Sequence, residues 1–384
     1  MKKSVNGSII AASKDKLFEK LFVGLLKKEV FINTYPLFST RQEFMNYIIE
    51  WFTSEKLHKD PKELSEIRAH IMEILYLWLT MFPGDFRNDD IIKALQVLAS
   101  TPIEAVEGHI KQFQKLLVDK LNPQISTEGI NSPPSILPTH FQPKQFTIVD
   151  IHPTEIARQL TLASMKIFSL INPRDLLYWN SKAEEKKLRI MDFINNFNYL
   201  CQWAISFILV GINEKQRGFF ITHVIYVMIE AFSIGNYHCA VALLACLDGV
   251  AISRLKKSWC FVEETQINSL ENIRNQLSAN GNWKIYRELV QQRQDPCLPY
   301  IGVYLQDIFF IEDGNPSTSG ELFNFEKMTQ FSNCLQEIMR FFYIKYDFKS
   351  VPEIQETINS IKVFELKETH RISLTVEPRE ESVL

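Results

Sequence analysis

The chain has 384 residues, more than a single hydrophobic core usually organises, so two domains are the expectation. Hydrophobic residues make up 46% of it, including 28 Phe, which is ample material for large cores. Charged residues make up 23% and nearly cancel, leaving a formal net charge of −3 without the basic excess of a general nucleic-acid binder.

The first residues, MKKSVNGSIIAASKDK, bring lysines but no sustained apolar stretch before more charge, which makes a poor signal peptide. About 120 residues of amphipathic helical pattern follow. Asn122 to Lys144 then holds five of the sixteen prolines and no helical periodicity, so it reads as an extended linker.

Beyond the linker, Pro153 is placed to start a helix over Glu155 to Ile171. There Ile156, Leu160, Ala163, Ile167, Leu170 and Ile171 form one apolar stripe, and Arg158, Gln159 and Thr161 are expected on a solvated face. Similar periodicity runs through Phe193–Val210, Phe219–Phe232 and Phe325–Phe342, while two-residue alternation is scarce. After Val363 the chain is polar and charged, and a poorly ordered tail is expected there. The fold class is therefore all-α, in two helical domains.

The longest apolar runs, Trp203 to Gly211 and Cys239 to Leu247, fall far short of the roughly 20 residues that cross a bilayer. Six cysteines (Cys201, Cys239, Cys246, Cys260, Cys297 and Cys334) form no CxxC pair and read as reduced, mostly buried thiols. Neither they nor the eight histidines have metal-ligand spacing, so no metal or cofactor is expected. GxGxxG, GxxxxGK[ST], HExxH and GxSxG are all missing. His223 and His238 lie in apolar helical surroundings and read as core histidines. No covalent chemistry is expected of this chain.

Three segments carry more information. EIARQLTLASMKIFSLINPRDLL (Glu155 to Leu177), GNYHCAVALLACLDGVAISRLKKSW (Gly235 to Trp259) and PCLPYIGVYLQDIFFIEDGNP (Pro296 to Pro316), the last followed by FNFEK, stand in the order and spacing of the catalytic domain of Ras guanine-nucleotide exchange factors. The chain resembles that domain over residues 145–345. FINTYPLFSTRQEFMNYIIEWF and RAHIMEILYLWLTMFPGDFRND resemble the companion Ras exchanger motif domain, placed at residues 8–121, with the linker at 122–144 and a partly disordered extension at 346–384.

The resemblance implies that the second domain is a helical bowl with a protruding hairpin that pries open a GTPase of Ras, Rap or Ral type. The hairpin's first helix is expected over Pro299 to Glu312, ending in the Gly314-Asn315-Pro316 turn, and its second from near Asn324. By resemblance, Phe309 intrudes on the GTPase's magnesium site and Asp313 competes for the donors that hold the nucleotide phosphates. Phe309 is bulkier than the family's aliphatic residue, and Asp313 is one methylene shorter than its Glu. Met228, Trp283 and Tyr300 match positions that hold switch II, while Arg158, Thr161 and Asn236 match positions facing the GTPase. Three departures accompany these matches: Gly235-Asn236 replaces two Asn, Asp248-Gly249-Val250 replaces an Asn-Ser-Ser turn, and Met328-Thr329 replaces basic residues.

Active exchange is the first reading; a GTPase-binding scaffold without exchange activity is the second. Either would work in the cytoplasm, at the membrane where its GTPase is anchored and through which it would be recruited. A two-domain chain of this kind suits a lower eukaryote or a bacterial effector acting in a host cytosol.

Overall fold

The computed structural model describes residues 1–4, 7–54, 60–100, 107–121, 132–141, 146–342 and 345–379. Most of the expected linker and the last residues, Ser382 to Leu384 included, lie outside this set. Among the described residues the architecture is almost wholly helical, and no helix is long and apolar enough to cross a membrane. The chain divides into two compact units.

The first unit comprises Met1–Thr127, Leu176–Ser181 and Gln306–Glu337. Its long central helix, Pro61–Met81, begins where sequence chemistry directs: Asp60 accepts from the Lys62 amide and Pro61 supplies a preset φ. Its neighbour Arg41–Thr53 opens with a capping box between Thr40 and Glu43. Aromatic rings fill the space between the helices. Phe18, Phe31, Phe44 and Trp78 are all fully buried, with centroid separations of 5.1 Å (Phe18–Phe31), 5.2 Å (Phe31–Phe44) and 4.6 Å (Phe44–Trp78). Asp85 satisfies the two polar tips inside this cluster, accepting from Tyr35 Oη at 3.0 Å and Trp78 Nε1 at 2.7 Å.

The same unit contains the one sheet among the described residues. Its antiparallel order runs Lys2–Lys3, Ile9–Ala12, Leu322–Asn324, Thr318–Ser319. Ala11 pairs with Asn324 and Ala12 with Phe323, so the chain's first residues are hydrogen-bonded to the turn of the expected hairpin. Alternation did not signal these strands because each spans only two to four residues.

The second unit comprises Glu128–Asp175, Lys182–Leu305 and Ile338–Leu384. At its centre is the helix Tyr237–Asp248, apolar on all sides and buried accordingly. Against it pack Glu184–Leu209 and Glu214–Ser233, and Pro153–Phe168 packs in turn on those two. The opening helix is rotated from its expected pose. Ala163 and Leu170 are exposed, whereas Gln159 and Thr161, expected in solvent, are buried. The cause is a polar hub that no apolar count detects. Gln159 Nε2 donates to Glu155 Oε1 and the Lys349 carbonyl, and its Oε1 accepts from the Val351 amide and from Gln355. Glu155 in turn accepts from the Ile136 amide, so residue 136 of the expected linker is docked against this helix.

The tail also departs from expectation. Where poor order is expected after Val363, Leu366–Val376 form a helix, with Thr369 and Ser373 buried. Its anchor is a buried ion pair: Glu377 lies 3.5 Å from Arg217 and accepts from the Lys257 and Ser258 amides at 3.0 Å each. Burial alone would raise the Glu377 carboxyl, but the Ser258 and Lys257 donors and the Arg217 charge hold it below its ordinary value. A carboxylate depressed in the folded state stabilises the fold above its unfolded pKa and loses that contribution as pH falls. Removing Glu377 would leave a guanidinium buried without its counter-ion, which costs about 3–5 kcal/mol. Chemical denaturation of Glu377→Ala should show a loss of that order at pH 7, with a smaller loss at pH 3.5 because the wild type has by then surrendered part of the same contribution.

Candidate functional site

In the second unit, the helix Glu264–Gln276 is followed by a sharp break. Gly281, Asn282 and Trp283 all take left-handed backbone, with φ of 60°, 57° and 60°, before the helix resumes toward Gln292. For Asn282 and Trp283 this conformation is strained, by roughly 1–2 kcal/mol per residue. It presents the Trp283 indole to Tyr300, with centroids 5.4 Å apart, and Phe197 also meets Tyr300 at 5.4 Å. All three rings are half-buried. The fully buried Tyr286 accepts the Tyr300 amide at 2.8 Å and fixes the platform from below. Burial raises the Tyr300 phenol above its ordinary value, so it remains a neutral hydrogen-bonding group.

Beneath the platform lies a polar layer. Asn236 caps the central helix by accepting from the Cys239 amide at 2.9 Å, and its Nδ2 donates to Thr161 Oγ1 at 2.8 Å. Gly235 precedes it with φ +80°, and a Cβ there would meet the Arg293 side chain and the Pro296 carbonyl within 2.7 Å. Glycine at this position is thus demanded by space as well as by backbone. His238 stacks on Phe193 at 3.8 Å and meets Asn196 Oδ1 at 3.2 Å. Burial pushes His238 down to about 3, so the imidazole is neutral at physiological pH.

The expected site residues therefore divide by accessibility. Trp283 and Tyr300 offer surface. Thr161, Met228 and Asn236 are 0% exposed and present none; Thr161 and Asn236 hold one another, and Met228 packs in the core. Arg158 lies mostly buried, donating to the Pro134 carbonyl and Glu155, with its guanidinium 5.5 Å from the Phe348 ring. Phe197 joins the platform and Asn196 the polar layer around His238, although neither stands out in the sequence. Phe197 belongs to a helix whose amphipathic pattern reads as ordinary core.

The hairpin's first helix spans Gly302–Gly314 and its second Phe325–Phe342. Residues from Gln306 to Glu337 group with the N-terminal helices, where the sequence reading had assigned the hairpin to the second domain. Several ties account for this. The four-stranded sheet includes the hairpin turn, Asn33 Nδ2 donates to Ser332 Oγ at 2.8 Å with both residues fully buried, and Phe38 meets Phe323 at 5.4 Å. Phe309 and Phe310 stand out from this packing at 48% and 57% exposure, with their rings edge-on at 5.8 Å. Asp313 is exposed one helical turn beyond Phe309, on the same face. An apolar wedge and a carboxylate thus share one uncovered helix face.

Comparison with known proteins fits this layout. Residues 155–329 match the RasGEF domain model, and residues 8–98 match that of the RasGEF N-terminal motif. Among curated proteins of Dictyostelium discoideum, the chain is 33% identical over 258 residues to Ras guanine nucleotide exchange factor Q, covering 65% of this chain and 20% of that protein. It is 31% identical over 263 residues to factor K (67% and 16%) and 27% identical over 374 residues to factor I (91% and 44%). The chain spans less than half the length of each of these relatives. Their common source lends the bacterial-effector alternative no support.

Because His238 is depressed in the folded state, the unfolded chain binds the extra proton, and stability falls as pH drops below the unfolded value near 6.5. The unfolding midpoint in urea should therefore decline from pH 6.5 to 4.5. The decline should be shallower in His238→Phe, which keeps the ring stacked on Phe193; an unchanged slope would contradict this assignment.

Proposed function

The chain belongs to the Ras guanine-nucleotide exchange factor family by both of its domains, and on that premise we propose that it accelerates GDP release from a Ras-type small GTPase. The observation that carries this reading is the paired exposure of Phe309 and Asp313 on one face of a braced helix.

The task is one of competing free energies. A nucleotide bound with nanomolar to picomolar affinity is held by about 12–16 kcal/mol, so unaided release is slow. An exchange factor binds the nucleotide-free GTPase and weakens nucleotide binding, and the nucleotide weakens exchange-factor binding by the same factor. In the proposed complex, the platform of Phe197, Trp283 and Tyr300 holds an apolar part of the switch region. Half-buried aromatics on rigid supports are suited to anchor such an interface. Phe309 takes space next to the magnesium site, and Asp313 offers a carboxylate to the donors that the phosphates leave. No covalent bond is made or broken. Thr161, Asn236 and His238 act at second hand, by keeping the platform's supporting helices in register. GTP then reloads because it exceeds GDP in the cell. The reading places the chain in the cytoplasm, at the membrane that carries its GTPase.

The shorter reach of Asp313 favours the second reading, a binding module without exchange. The two are separated by loading Ras, Rap and Ral with a fluorescent GDP analogue and timing its release under excess GTP. On the responsive GTPase, Phe309→Ala and Asp313→Ala should each slow release at least tenfold, and Asp313→Glu should speed it several-fold. Tight binding to nucleotide-free GTPase with no acceleration by the wild type would identify the silent module.

A further inference from the structure

The base of the hairpin holds a buried cation. There Lys327 is 3% exposed although it belongs to the first turn of the second hairpin helix. A buried ammonium is tolerated only where its donors are met, and each of these is. Lys327 Nζ lies 3.0 Å from Glu312 Oε2 and donates to the Asn315 carbonyl at 2.7 Å and Ser317 Oγ at 2.8 Å. All three partners belong to the end of the first hairpin helix or to the turn that follows it. The Lys327 backbone is itself fixed, its amide donating to Asn324 Oδ1 at 3.0 Å, while Asn324 Nδ2 donates to the Pro316 carbonyl at 2.9 Å.

Close packing does not supply this constraint. A cleft of about 320 Å³ runs along the hairpin base, bordered by Ile308, Glu312, Lys327 and Phe331 and, across it, by Pro36 and Leu177. On that side the first helix lacks the dense contacts that elsewhere set a side chain's position. On the cleft side the end of the helix is therefore held by charge-assisted hydrogen bonds, which are directional. Glu312 is adjacent to Asp313, and Phe309 is one turn earlier, so whatever fixes Glu312 fixes the azimuth of both exposed side chains.

We propose that Lys327 is a positioning residue for nucleotide release: its ammonium, shared among Glu312, Asn315 and Ser317, sets the pose of Phe309 and Asp313 without touching the GTPase. This inference rests on the exchange reading above. A residue that positions the wedge should change the maximal rate of release more than the affinity for the GTPase, which the platform supplies.

The test uses the full chain and the GTPase on which the wild type is active. Lys327→Met should lower the maximal release rate at least tenfold, with the half-saturating concentration of the chain changed less than threefold. Glu312→Gln, at a partly exposed position, should lower the maximal rate about threefold. Independently of any GTPase, the amides of residues 313–318 should exchange hydrogen faster in Lys327→Met. Should that variant lose its helical circular dichroism, Glu312→Gln decides. A wild-type maximal rate in a folded variant, or unchanged amide protection, overturns the clamp. Wild-type inactivity on every GTPase tried overturns the exchange reading instead and leaves the clamp to be judged by amide exchange alone.

Discussion

An exposed apolar side chain can act as a wedge only if the backbone beneath it does not yield, and in this chain that stiffness comes from the N-terminal residues. The helix end that carries Phe309 and Asp313 has little packing of its own on the cleft side. It is tied through its turn to the strand Ile9–Ala12, through Ser332 to Asn33, and through Phe323 to Phe38. A buried side-chain hydrogen bond contributes roughly 1 kcal/mol net, but leaving either partner unpaired in the core costs about 1–3 kcal/mol. Asn33 and Ser332 thus specify one seating of the hairpin's second helix and penalise its neighbours.

The second unit uses the same logic in its interior. Glu155, Gln159, Thr161, Asn236 and Glu377 are buried polar groups, and their partners come from segments far apart in the chain. Apolar burial drives such a helical unit together without setting the rotation of each helix. The polar contacts choose among rotations, since turning a helix away from them would leave Gln159, Thr161 and Asn236 buried without their partners. The platform of Phe197, Trp283 and Tyr300 stands on this layer, so its geometry follows from residues that no partner would contact. The left-handed turn at Trp283 is the local strain that this support sustains.

Much of the helical framework was legible in the sequence. Pro153 opens its helix as its fixed φ requires, and Phe325–Phe342 emerges with the bounds that its periodicity indicates. The burial of Gln159 and Thr161 was not legible, because an apolar stripe reports where hydrophobic side chains fall and says nothing of a polar side with partners elsewhere. The C-terminal helix was hidden for the same reason: its anchoring residues are Ser373 and Glu377, which score as solvent-loving until Arg254 is seen beside Ser373, and Arg217 and the Ser258 amide beside Glu377. The strands were too short to alternate. Of the candidate site, Phe309 and Asp313 were found through family resemblance and are exposed as a wedge requires, whereas Lys327 appeared only as one letter of FNFEK.

If the N-terminal strand holds the wedge in working position, the chain without residues 1–12 should still bind nucleotide-free GTPase through its second unit but release labelled GDP at least tenfold more slowly at saturation. Release at the full-length rate would show instead that the hairpin keeps its pose without the strand that pairs with its turn.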